Sequence, residues 1–189
     1  MLTRVLSPLR RSASRFLRDE EGNLSVEALI WTPLIVTILG ATFSLYDAFR
    51  YKALNTKAAF TISDAISRET DPLDAQYLDG MVDVLEFLTR SEGPYSIRVT
   101  LVRYNDDDDA YETIWTQTRG DFDAMTNVDL EEMRSGLPTL LHNERVIVVE
   151  TATEYAPPIP VPGLNTEELF YNMAFTRPRF APNLGWSEG

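Results

Sequence analysis

From Ala28 to Tyr46 the chain reads ALIWTPLIVTILGATFSLY, nineteen residues without a formal charge. As a helix rising about 1.5 Å per residue, this run covers about 28 Å, close to the hydrocarbon thickness of a bilayer. A lone helix can cross lipid because it satisfies its own backbone N–H and C=O groups. A helix buried in a soluble core can have the same composition, but nothing else in this chain is apolar enough to cover one on every side. The expectation is a single membrane span over residues 23–46. The mean hydropathy of -0.18 conceals it, because one apolar block is averaged with a polar remainder.

Charge is spread unevenly about this span. The first 22 residues carry Arg4, Arg10, Arg11, Arg15 and Arg18 against Asp19, Glu20 and Glu21, a formal +2; the chain total of -12 therefore leaves -14 for the rest. A basic head matches a cytoplasmic leader held near anionic lipid. The bias is modest, since Arg50, Lys52 and Lys57 flank the other end. An acidic remainder with no basic stripe argues against nucleic acid as a partner, because phosphate neutralisation needs clustered Lys and Arg. Roughly 120 to 145 residues remain beyond the span, enough for one small domain and too few for two. The absence of cysteine rules out disulfides, zinc ribbons and thiol nucleophiles. A cleavable secretory signal fits poorly: its apolar region would be too long, would begin beside Glu27, and lacks an A-x-A site.

Leu2, Val5, Leu6, Leu9, Ala13, Phe16 and Leu17 form an approximate helical stripe interrupted by Pro8, as in a leader lying at a membrane surface. Beyond the span, Tyr51, Leu54, Ala58, Ile62, Ala65 and Ile66 keep a three-to-four spacing. Nothing between Tyr46 and Asp47 breaks a helix, so the span is expected to continue as an amphipathic helix over 47–70. Asp71-Pro72 stops it, and residues 71–189 form the outer domain. A second amphipathic helix fits Leu73–Thr89, ended by Glu92-Gly93-Pro94.

The apolar period then changes to two. Tyr95, Ile97, Val99 and Leu101 predict a half-buried strand, and Tyr111–Thr118 a second; Asp106–Asp109 connect them as an antiparallel hairpin. A short helix is expected near Val128–Arg134. Arg145–Thr153 reads as a central strand. The prolines of APPIPVPG, residues 156–163, suggest a polyproline-like connector, read either as a stiff surface loop or as a partner-docking segment. A helix at Thr166–Asn172, a last strand at Met173–Phe180 and a frayed tail at Asn183–Gly189 complete the expectation.

Little in the sequence points to chemistry. His142 is the single histidine, which excludes a two-His metal site and leaves any Ser-His-Asp triad dependent on it alone. There is no G-x-S-x-G and no phosphate-cradling glycine loop. Asp106–Asp109 have the ligand type for calcium, but they lack the spacing and central glycine of an EF-hand loop and read as a solvated turn. Trp31, Trp115 and Trp186 are spread among span, strand and tail and mark no stacking platform. No catalytic residues, metal, cofactor or small-molecule substrate are expected, and an anchored hydrolase is disfavoured.

Three residues make the span unusual. Gly22 closes the charged leader, Glu27 sits at the edge of the apolar run, and Pro33 lies inside it. Glycine, four residues, then glutamate at the head of an apolar helix resembles the prepilin peptidase site of type IV pilins and pseudopilins. Within that group V26-E27-A28-L29-I30-W31-T32-P33 resembles the short TadE/TadF-like proteins of tight-adherence (Flp) pilus systems. The resemblance covers about Phe16–Ser67, with one echo in F175-T176-R177-P178-R179-F180. Ala28 departs from the aromatic that often follows the glutamate.

What the resemblance implies is a minor pilin or pseudopilin-like component of pilus assembly, cleaved between Gly22 and Asn23, with Glu27 and Pro33 as assembly and recognition residues. The implied fold is pilin-like α+β: a long N-terminal transmembrane and amphipathic helix on a small antiparallel sheet of about four strands. The implied partners are a prepilin peptidase, other pilin-like subunits, the inner-membrane pilus platform and the membrane itself. The N-terminus would be cytoplasmic and the domain periplasmic. The alternative is an uncleaved, signal-anchored interaction or sensory domain in which Glu27 is only an interfacial charge.

Overall fold

The computed structural model describes residues 21–159 and 170–188. The chain divides into two compact units, the first ending at Ser44 and the second beginning at Leu45. One helix, α1 (Glu21–Ser67), contributes to both and runs without interruption through Pro33. In the first unit every side chain from Leu24 to Leu39 is exposed. The hydroxyls of Thr37 and Thr42 donate to the carbonyls of Pro33 and Ile38, each at 2.8 Å, so these polar groups are satisfied within the helix.

In the second unit α1 becomes one-sided. Ala58, Ile62 and Ile66, spaced by four, are buried on one stripe. They pack with Leu78 and Leu85 of α2 (Ala75–Thr89) and with Ile97, Val99, Leu101, Ile147 and Val149 of the sheet. Helix α2 starts at Asp74, whose carboxylate accepts from the Tyr77 N–H at 2.7 Å. It ends at Arg90, which adopts a left-handed conformation (φ 52°) and donates its N–H to Glu86.

The sheet has four strands, β1 (Glu92–Asn105), β2 (Ala110–Arg119), β3 (Arg145–Glu154) and β4 (Asn172–Thr176), in the order β2-β1-β3-β4. All three pairings are antiparallel. Alternation sends odd-numbered β1 residues towards the helices and sends Arg98, Thr100 and Val102 to the other face. There Val102, Val146 and Val148 meet Leu130, Leu137 and Leu140 from the segment between β2 and β3. That segment holds α3 (Asn127–Glu132), capped reciprocally by Thr126 and Asp129, and a 3-10 turn at Arg134–Gly136. It leaves β2 through Gly120 at φ 76°, where a Cβ would lie 2.6 Å from the Tyr95 carbonyl oxygen, so the position requires glycine.

The α+β, pilin-like arrangement expected from the sequence is therefore present: a long apolar N-terminal helix and a four-stranded antiparallel sheet. Several boundaries differ. Strand β1 extends from Glu92 to Asn105, beyond the alternating Tyr95–Leu101, because its pairing with β3 begins at Glu92 and its pairing with β2 runs on to Asn105. Strand β4 stops at Thr176 instead of Phe180. Pro178 has no N–H to offer a ladder, and the Arg179 N–H goes instead to the Ser67 carbonyl at 2.8 Å. Residues 160–163 of the connector and 166–169 of the helix expected at Thr166–Asn172 lie outside the described residues, and Asn172 opens β4 instead of closing a helix.

The tail is the main correction. Asn183–Gly189 was expected to fray, yet Leu184 is only 2% exposed within the main core. Leu73 donates to the Gly185 carbonyl at 3.0 Å and accepts from the Ser187 N–H at 2.7 Å. Trp186 lies 6.0 Å from Trp115, whose indole N–H donates to the Leu184 carbonyl at 3.0 Å. The two tryptophans are thus structural neighbours. Leu184→Ala is expected to lower the unfolding free energy of the detergent-solubilised full chain by about 2–5 kcal/mol, read from urea denaturation followed by tryptophan fluorescence. An unchanged midpoint would contradict the core role assigned to the tail.

Candidate functional site

The sequence-expected site residues all lie near the start of α1. Gly22 and Asn23 fall in its first turn. Glu27 follows Asn23 by four residues, about one turn, in the same helix. Glu27 is exposed, and Pro33 lies a turn and a half further on. From Leu24 onward α1 is long and apolar enough to cross a membrane, and almost none of its most apolar stretch is buried. Low burial separates this segment from the core helix of a soluble protein, which passes the same length and composition test. Its charge-free part meets the physical requirements of a single-pass anchor.

The second half of α1 is fastened to the sheet by polar side chains as well as by its apolar stripe. Asp47 accepts from the Tyr155 hydroxyl at 2.7 Å. Burial, followed by this bond to a carboxylate, pushes the Tyr155 phenol up. The Tyr155 ring stands 5.0 Å from Tyr51 and 4.9 Å from Phe170. Lys52 donates to the Tyr171 carbonyl at 2.9 Å and to Asn172 Oδ1 at 2.8 Å. Burial of its ammonium beside these neutral acceptors holds the Lys52 pKa below its usual value. Thr56 shares the same Asn172 oxygen at 2.9 Å. The fully buried Asn55 accepts from Thr153 at 2.7 Å and donates to the Tyr51 carbonyl at 3.0 Å. These bonds select one rotation and one axial register of α1 against β3 and β4, which an apolar stripe alone selects weakly.

A second polar assembly occupies the opposite face of the sheet. Arg98 and Glu150 are directly paired across β1 and β3. The guanidinium binds the carboxylate in a two-bond fork, Nε to Oε2 at 2.5 Å and Nη2 to Oε1 at 2.6 Å, and the Glu150 side chain is 0% exposed. Tyr171 adds its hydroxyl to Oε1 at 2.5 Å, and Arg98 also donates to the Asp123 carbonyl at 2.9 Å. The Phe122 ring lies 5.1 Å from the guanidinium carbon and edge-on to Tyr171. For Arg98, burial works against the charge, but hydrogen bonding and attraction from Glu150 outweigh it and the pKa is raised. Burial and the same carboxylate push the Tyr171 phenol up. Removing one member of such a pair strands a buried charge, whereas replacing both does not. Arg98→Met is expected to cost about 3–5 kcal/mol and Arg98→Met/Glu150→Leu much less, measured as a double-mutant cycle by urea unfolding. Equal losses in the single and double variants would contradict a charge-pairing role.

Sequence reasoning missed this assembly. Its only signal was Glu150 inside an otherwise apolar strand facing the polar phase of β1. The aspartate turn and His142 do meet, since the Asp106 N–H donates to His142 Nδ1 at 3.2 Å. Asp109 binds the Tyr104 hydroxyl at 2.7 Å and Arg134 at 2.5 Å, and these partners hold its carboxyl below the usual range. The turn is thus tied to the segment after α3 through its last carboxylate. Among the described residues no group of three or more His, Asp or Glu side chains is arranged to hold a metal ion. A cleft of about 310 Å³ beside Phe122 and Tyr155 contains Ser96, whose hydroxyl accepts from the Asp121 N–H at 3.0 Å. No family model, curated protein or solved structure matches the chain.

Proposed function

We propose that this protein is a TadE/TadF-like minor pilin or pseudopilin that takes part in assembling a tight-adherence pilus, and that it acts as a structural subunit with no reaction of its own. The observation that carries this reading is α1 itself. One helix is exposed and apolar over its first half and is built into the core of a small α+β domain over its second. In this reading the leader lies in the cytoplasm, Ala28–Tyr46 cross the inner membrane, and the domain stands in the periplasm. A prepilin peptidase cuts between Gly22 and Asn23, and the product joins other pilin-like subunits and the inner-membrane platform.

Glu27 has a defined task in this scheme. A carboxylate near the head of a membrane helix is costly, up to about 2.5–3.5 kcal/mol for an acid such as Asp at the bilayer centre and less near the interface. Cleavage after Gly22 gives Asn23 a free α-ammonium one turn away on the same helix, or on an adjacent subunit. At about 4 Å and an effective dielectric of about 20 the attraction is roughly 4 kcal/mol, enough to favour one axial register between neighbouring helices. The uncleaved-anchor reading draws on Ala28, where the related pattern often has an aromatic.

Intact mass and N-terminal sequencing of protein recovered from membranes of its native host separate the two. The mature chain is expected to begin at Asn23, and Gly22→Val to remain a full-length precursor. A chain starting at Met1, or normal trimming of the Gly22→Val variant, would sink the pilin-like reading in favour of the anchor.

A further inference from the structure

We propose that the cleft between the start of β3 and the segment after β4 binds a carboxylate carried by an acidic peptide segment of a partner protein. The inference stands on this domain alone and is independent of the pilus reading. The chain enters β3 through Asn143 in a left-handed turn (φ 61°) and leaves β4 at Arg177-Pro178. Asn143, Glu144, Arg145, Arg177, Pro178 and Pro182 are among the residues lining a cleft of about 430 Å³. Two prolines with fixed φ make part of its wall stiff before anything binds.

Its charge is opposite to that of the chain as a whole. Two arginines face one glutamate in the lining, a formal +1 on a protein of net charge -12. The single carboxylate is already engaged through both oxygens: Arg177 Nε donates to Glu144 Oε1 at 2.8 Å, and the Leu141 N–H donates to Oε2 at 2.8 Å. Arg177 is 61% exposed, so much of its donor fork faces outward. Arg145 is held by a bond from Nη1 to the Pro182 carbonyl at 3.1 Å, and its buried Nε–H has no partner among the described residues. Arg145 is thus anchored in the cleft wall, and no carboxylate among the described residues pairs with its charge.

The formal +1 selects the ligand. One carboxylate neutralises it, and the planar fork of arginine matches that group in two bonds. A phosphate near its second ionisation would bring up to two negative charges beside Glu144. Proline rings offer apolar contact to the methylenes of a glutamate side chain, which acetate lacks.

The test uses the full chain, 15N-labelled and in detergent micelles, with the Arg145 Nε–H resonance assigned through Arg145→Lys. The probe is acetyl-Gly-Glu-Gly-amide, compared with its Gln counterpart, sodium acetate and sodium phosphate. The Glu peptide is expected to shift the Arg145 Nε–H saturably, and the Gln peptide to leave it in place. Arg177→Gln, an exposed change, should weaken binding by about tenfold or more, and Glu144→Gln should tighten it several-fold by removing the competing carboxylate. A shift of equal size with the Gln peptide, no shift at all, unchanged affinity in Arg177→Gln, or acetate or phosphate binding more tightly than the peptide would each overturn the proposal.

Discussion

The backbone of a segment surrounded by lipid has no water to bond with, so its N–H and C=O groups must pair with each other. A helix meets that constraint, and the first half of α1 is a helix long and apolar enough to cross a membrane; the same pairing carries on past Tyr46 because nothing there interrupts it. The rest of the second unit is built against the continuation. Ala58, Ile62 and Ile66 supply the stripe on which the sheet and α2 pack, and the core they begin is closed by Leu184 and Trp186 near the other end of the chain. A single helix thus carries two patterns: exposed from Leu24 through Leu39 with no formal charge after Glu27, and apolar on one side after Asp47.

Apolar stripes hold helices well but slide easily, since one methylene contact resembles the next. The polar pins from Asp47, Lys52, Asn55 and Thr56 to Tyr155, Tyr171, Asn172 and Thr153 answer this, because each bond is lost on a shift of one residue. Phe170 and Tyr171 connect this seam to the other face of the sheet, where Tyr171 completes the Arg98–Glu150 pair. Both faces are therefore fixed through the few residues that lead into β4. In the proposed function such rigidity has a use, since a subunit that transmits register from a membrane helix to a surface domain must not let the two slip.

Local pattern carried much of this into the sequence. The uncharged run, the three-to-four spacing after Asp47 and the alternation in β1 are each set by near neighbours, so periodicity identifies the helix, its amphipathic continuation and the hairpin. What stayed hidden depends on contacts far apart in the chain. Leu184 and Trp186 sit among polar and small residues and look like a loose end; their burial follows from pairing with Leu73 and Trp115. Glu150 is a charge within an apolar strand, and its partner lies 52 residues away. The cleft arginines read as ordinary surface charge until Pro178 and Pro182 bring their segments together. Gly22, Asn23 and Glu27 are the reverse case: their spacing is plain in the sequence, and the role proposed for them depends on a peptidase and partners beyond this chain.

The central claim is that α1 is one helix in two environments. The chain has no native cysteine, so single cysteines carrying a nitroxide can be placed in turn from Leu34 to Phe60 in bilayer-reconstituted protein. Paramagnetic accessibility then reports lipid, water or protein contact at each position. The account predicts high oxygen and low nickel-chelate accessibility at every position from Leu34 to Leu39. From Asp47 onward it predicts an oscillation with a period near 3.6 residues, with minima at Ala48, Asn55 and Ala59. Water accessibility throughout, or a break in helical period between Tyr46 and Asp47, would contradict it.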